Sequence, residues 1–241
     1  MTSPELVVCV PGAWKTRNDL VMSVGKPDGD YLYAGVAMMN KETREAVTVQ
    51  FEEPNPNLGK AFAIAGRSWL DEATFTEIDR HSSCVYLITK GGSEETAKKM
   101  MLAAAALLKC GGIAIKIEST GIAHPAKKWE EWSEKGDLPT LFRAYVTYIG
   151  SGDIFYSCGM HNLGYPDCVV QAEIQPQTAA ELIDAFLRYL LFDSPELENG
   201  QTFSVKAEAP RYKIEHQACT MFEPDHLFHN PYGVWKLTPA G

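Results

Sequence analysis

The chain has 241 residues, of which 45% are hydrophobic and 22% charged, close to the globular average and far from the composition of disordered chains. Asp and Glu outnumber Lys and Arg by 31 to 22, a formal balance of −9. The densest basic spots, Lys98-Lys99 and Lys127-Lys128, lie beside Glu94-Glu95 and Glu130-Glu131, so nucleic acid is excluded as an expected partner.

In chain order, the apolar run Leu6 to Val10 stops at Pro11-Gly12, and Leu20, Val21 and Val24 then recur at helical spacing, which predicts a strand followed by a helix. Tyr31 to Met39 and Ala46 to Phe51 flank a polar connector and read as a hairpin, the second arm alternating apolar and polar residues. A helical pattern from about Leu58 to Arg80, broken near Gly66 to Leu70, leads to a strand from Cys84 to Thr89. The first ninety residues thus read βαββαβ, the order of a ferredoxin-like unit with its helices on one face of the sheet.

Ser93 suits the N-cap of the next helix, Glu94 and Glu95 suit its positive end, and Gly111 suits the position after its last turn. Met100 to Leu108 is apolar on every side, which predicts a central helix covered front and back. Ile113, Ile115 and Ile117 predict a strand, and Ala126 to Lys135 a short amphipathic helix with Trp129 and Trp132 on one side. Phe142 to Ile149 and Ile154 to Cys158 read as a second hairpin around Gly150-Ser-Gly-Asp153, followed by a strand from Val169 to Ile174. Thr178 and Glu181 have capping-box spacing before the apolar stripe Leu182, Ile183, Phe186, Tyr189 and Leu190. Phe203 to Ala207 and Tyr212 to Ala218 close the pattern, and Pro224 to Trp235 has no period. The expectation is an α+β fold, with antiparallel or mixed sheets carrying helices and two fused ferredoxin-like βαββαβ halves. The halves divide into residues 1–92 and 93–241 and are packed as one compact unit.

Six cysteines, Cys9, Cys84, Cys110, Cys158, Cys168 and Cys219, are scattered without a C-x-x-C pair, the usage of reduced buried thiols. The first residues lack a basic leader, and the longest apolar run, Met100 to Leu108, is too short to span a bilayer. A cytoplasmic protein without membrane association is expected.

The loop Cys158-Gly-Met-His-Asn-Leu-Gly-Tyr-Pro-Asp167 sets a thiol, an imidazole and a carboxylate within ten residues at a strand end. A Cys158 nucleophile would need His161, with the loop folded back, to lower its pKa, and Asp167 is the carboxylate candidate beside them. The competing reading is a tight turn shaped by Gly159, Gly164 and Pro166. Glu118 and His124 stand in the loop after the Ile-rich strand, a place where binding groups gather. His226 and His229, three apart, with His216 upstream, are the candidates for a metal, although their spacing fixes no third ligand. Gly12 to Trp14 and Gly91-Gly92 lack the glycine pattern of phosphate loops, so no nucleotide or other cofactor is expected.

The segments His81-Ser-Ser-Cys-Val-Tyr-Leu, Cys110-Gly-Gly-Ile-Ala, Gly159-Met-His-Asn-Leu-Gly-Tyr-Pro-Asp167 and His229-Asn-Pro-Tyr-Gly-Val-Trp235 resemble an uncharacterised bacterial family, a domain of unknown function, over roughly residues 75–237. The resemblance implies a cytoplasmic α+β protein and carries over no catalytic residue. The functional expectation is therefore a non-catalytic domain that binds a small-molecule ligand or a protein, including a second copy of itself through a sheet edge or the Trp129 and Trp132 face. The alternative is a cysteine-dependent hydrolase or transferase using Cys158 and His161.

Overall fold

The computed structural model describes residues 3–66 and 69–240. Its first sheet begins with β1 (Glu5–Gly12), continues through α1 (Arg17–Val24) to β2 (Tyr31–Ala34), β3 (Ala37–Asn40) and β4 (Ala46–Glu52), and reaches β5 (Ser83–Lys90) after α2 (Leu58–Ala65) and α3 (Glu72–Asp79). The central helix α4 (Glu94–Lys109) then leads to β6 (Ala114–Ile117) and β7 (Ile122–Pro125). These seven strands, all antiparallel to their neighbours, lie in the order β2-β3-β4-β5-β1-β6-β7.

After α5 (Ala126–Lys135) and α6 (Leu138–Tyr145), the second sheet is laid down by β8 (Thr147–Ser151), β9 (Ile154–Cys158), the short α7 (Met160–Leu163) and β10 (Asp167–Gln171). The helix α8 (Pro176–Arg188) runs into one π-helical turn, Tyr189–Asp193, before β11 (Thr202–Phe203), β12 (Tyr212–Gln217) and β13 (Val234–Pro239). The order is β11-β12-β13-β10-β9-β8, and β10 with β13 is the parallel pair in an otherwise antiparallel sheet. The class is α+β, as the sequence implies.

One hydrophobic core joins the inner faces of both sheets around α4. Ser93 caps that helix by accepting from the Thr96 amide, and Gly111 at φ +108° turns the chain out of it. Seven residues between Met100 and Leu108 are buried, and Leu102 faces outward. Two side chains anchor the following helices to its backbone: Trp129 of α5 donates to the Met101 carbonyl at 3.0 Å and Tyr145 of α6 to the Ala97 carbonyl at 2.9 Å. Both are fully buried, so truncating either ring would cost about 3–5 kcal/mol. A second cluster covers the outer face of the first sheet, where Leu58, Phe62 and Ile78 of α2 and α3 sit on Cys9, Cys84, Ala114 and Ala123.

Several elements depart from the sequence reading. The first half is not ferredoxin-like: such a unit splits each βαβ crossover by a single strand, whereas β3, β4 and β5 all lie between β1 and β2. Helices also cover both faces of this sheet, α1 and α4 inside and α2 and α3 outside. Tyr31 to Met39 is two strands, because Gly35 at φ +61° folds the run back on itself between Ala34 and Ala37. Phe142 to Tyr145 is helical: Asp137 caps α6 by accepting from the Thr140 amide and Pro139 fits its first turn, and these local signals override the β-like composition. No capping box forms at Thr178, since Pro176 opens α8 earlier and leaves Thr178 inside the first turn. Within the expected break at Gly66 to Leu70, Arg67 and Ser68 lie outside the described residues. The aperiodic tail contributes β13, a central strand of the second sheet.

Candidate functional site

The terminal strand of the first sheet, β7, and the terminal strand of the second, β8, face a common cleft of about 1070 Å³, closed by α2, α5, α6 and α8. Its floor is built from the alternation of β7: Ala123 turns to the outer cluster, while Ile122 and His124 turn inward. His124 is 3% exposed and its Nε2 lies 2.9 Å from the Ala144 carbonyl, one of the last carbonyls of α6. That contact requires the Nε2–H tautomer, and burial pushes the imidazole down to about 4, so the ring is neutral at physiological pH.

Aromatic rings surround this imidazole. Trp69 stacks at 5.8 Å between centroids, and Trp132 meets it edge-on at 4.8 Å. Trp69 is itself fixed to β7, donating its indole N–H to the Ala123 carbonyl. Phe142 forms a further part of the wall, with the Arg188 guanidinium 5.2 Å above its ring. On the α8 side, Asp184 accepts from Arg188 Nε at 2.6 Å and from the Tyr148 hydroxyl at 2.8 Å. Burial and the Asp184 carboxylate push the Tyr148 phenol up, so it remains a donor. Lys128 lies 5.5 Å from the Trp132 ring, and Arg143 stands exposed on the last turn of α6.

Of the two ligand-binding candidates, His124 lies in this cleft and Glu118 does not. Glu118 pairs with Lys116, and its backbone amide donates to the Val7 carbonyl at 2.8 Å. The roles of Trp69, Phe142, Arg143, Asp184 and Arg188 had no sequence signal, because three segments distant in the chain bring them together. Trp132 carried one, the aromatic spacing on α5, but Trp129 of the same pair is buried in the core.

Cys158, His161 and Asp167 lie in a different place, at the end of the second sheet where β9 passes through α7 into β10, and all three are buried. Asp167 is tightly held: Oδ1 accepts from the Ser157 hydroxyl at 2.8 Å and the Met160 amide at 3.3 Å, and Oδ2 from the Asn230 amide at 2.6 Å. Its nearer approach to His161 is 3.8 Å, beyond hydrogen-bonding range, and neither His161 nitrogen has a partner among the described residues. Burial, then the charge of Asp167, push the Cys158 thiol far up, which favours the unreactive protonated form. The chain reaches this arrangement because Gly159 adopts φ +122°, against the Tyr145 carbonyl and the Thr120 methyl. The Asn230–Asp167–Ser157 chain fastens the tail to β9 and β10 and delivers β13 into register, with Asp167 opposite Val234.

The tail histidines each serve a local contact. His216 Nε2 lies 2.8 Å from the Tyr232 carbonyl, His229 Nδ1 lies 2.9 Å from the Phe222 carbonyl, and His226 Nδ1 accepts from the Phe228 amide at 3.0 Å. Among the described residues, no group of three or more His, Cys, Asp or Glu is gathered to hold a metal ion.

The strands β9 and β10, the clamp on Asp167 and the parallel β13 form one continuous segment, and this segment decides the comparison with known families. Residues 156–238 match the family model of a domain of unknown function, DUF4261. The expected resemblance to an uncharacterised family is borne out there, and the DUF4261 segment includes two of the quoted motifs, Gly159 to Asp167 and His229 to Trp235. It also supplies Asp184 and Arg188 to the cleft, while His124, Lys128, Trp132 and Arg143 precede it. No curated protein and no solved structure matches the chain.

Proposed function

We propose that the chain is a non-catalytic small-molecule-binding domain, and that the cleft between β7 and β8 takes a planar, largely apolar ligand. The observation that carries this reading is the neutral imidazole of His124 set between Trp69 and Trp132 in a cleft just above the usual ligand-site range, which is roughly 300–1,000 Å³. Such walls offer stacking area to a flat ring, and His124 Nδ1 keeps a lone pair for one hydrogen-bond donor.

All six cysteines are free, which supports a reducing, cytoplasmic location. No helix among the described residues is long and apolar enough to cross a membrane. A bacterial origin, implied by the family resemblance, belongs to the same proposal.

The test is a titration with 2-naphthalenemethanol, a neutral flat probe, followed by NMR. Saturable shifts of the Trp69 and Trp132 indole N–H signals are expected, and the Trp69 shift should be lost in W132A. Absence of saturable shifts up to the solubility limit of the probe, or shifts confined to other residues, would overturn the reading.

A further inference from the structure

The chain carries a formal charge of −9, yet the charged residues lining the cleft are Lys128, Arg143 and Arg188 against Asp184 alone. This local reversal of sign needs an explanation, and the pairing of each group supplies it. Asp184 is already satisfied by Arg188 Nε at 2.6 Å and the Tyr148 hydroxyl at 2.8 Å, so a cationic ligand would have to displace both. Lys128 shares an exposed i,i+3 contact with Glu131 at 3.3 Å, a pair of little worth in water. Arg143 has neither a hydrogen-bond nor an ion-pair partner among the described residues, although it stands beside Phe142 at the cleft wall. Its planar fork of donors matches a carboxylate in two-point fashion.

From this we infer that the ligand of the cleft is a flat aromatic acid, its ring against Trp69 and Trp132 and its carboxylate on Arg143, with Lys128 adding to the favourable field. The inference rests on the cleft being a ligand site, and it adds the sign and chemical class of what enters. A clamped Asp184 and an unoccupied guanidinium give selectivity by difference: the acid gains a charge-assisted pair, and an amine gains only repulsion.

Calorimetric titration of the full chain with three matched probes, 2-naphthoate, 2-naphthalenemethanol and 2-naphthylmethylammonium, separates the two claims. The acid is expected to bind at least about tenfold more tightly than the alcohol, with the advantage shrinking as salt is raised. R143Q, an exposed substitution checked for an unchanged melting temperature, is expected to remove most of the advantage of the acid over the alcohol. Equal binding of all three probes, tighter binding of the amine, or an acid preference undiminished in R143Q would overturn the anion inference while leaving the site intact. Failure of all three to bind would remove the site, and the inference with it.

Discussion

His124 makes stability depend on pH in a window set by its burial. In the unfolded chain the imidazole titrates near its ordinary value of about 6.5, whereas burial in the folded protein holds it down to about 4. Above about pH 6.5 both states leave it neutral and it exerts no pH-dependent effect. Below that point the unfolded chain takes up a proton that the folded chain refuses, so stability falls until the folded value is reached. The difference of about 2.5 pH units corresponds to about 3 kcal/mol in full, of which about 2 kcal/mol is lost between about pH 7.5 and pH 5. The perturbation is H124Q, whose amide preserves a donor toward the Ala144 carbonyl but has no titration in this range. Urea unfolding of both proteins at a series of pH values gives the result as a difference, in which the carboxylates common to both cancel. The gap between the two proteins should shift by about 2 kcal/mol in favour of H124Q between about pH 7.5 and pH 5. Parallel pH profiles would refute the reasoning, because they would mean that the imidazole is protonated equally easily folded and unfolded.

Other expectations concern the buried polar cluster at the β9–β10 end of the second sheet. Cys158, with its thiol buried and pushed up, should resist iodoacetamide at neutral pH on the timescale in which an unfolded control is fully labelled; rapid labelling of the native protein would place a thiolate there. G159A should cost about 3 kcal/mol or more, since φ +122° disfavours any side chain and the new methyl would run into the Tyr145 carbonyl; a loss under about 1 kcal/mol in urea would show that the turn relaxes freely. N230A removes a buried donor from the Asp167 carboxylate and should cost about 2–3 kcal/mol, with faster amide exchange along β13 as its local signature; unchanged exchange there would contradict the clamp.

Elements marked by local chemistry were legible. Ala126–Lys135 follows its amphipathic spacing, and α4 its Ser93 cap and its Gly111 turn. The run Phe142 to Ile149 is a strand only from Thr147; its first part, Phe142 to Tyr145, was misread because its apolar, aromatic composition suits a strand, while the deciding signals, Asp137 and Pro139, lie upstream of it. β13 was hidden for a different reason. Its place is set by the parallel partner β10 and by the Asn230 bond to Asp167, 63 residues away, and neither leaves a periodic mark in the tail. The same holds for strand order, which puts β5 between β4 and β1 and so rules out the ferredoxin-like arrangement that element order alone suggests. The cleft was the least legible feature. His124 could be named from its place at a strand end, but Trp69, Arg143 and Arg188 reach it from α-helical and loop segments spread over more than a hundred residues. Glu118 looked equivalent to His124 in sequence, and its pairing with Lys116 is what separates them.

If the cleft between the two sheet edges holds a flat anionic molecule, a crystal of the protein soaked with 2-naphthoate should show it there. The ring is expected against Trp69 and Trp132, with both carboxylate oxygens on Arg143; the naphthoate elsewhere, or in the cleft with its carboxylate turned away from Arg143, would refute that reading.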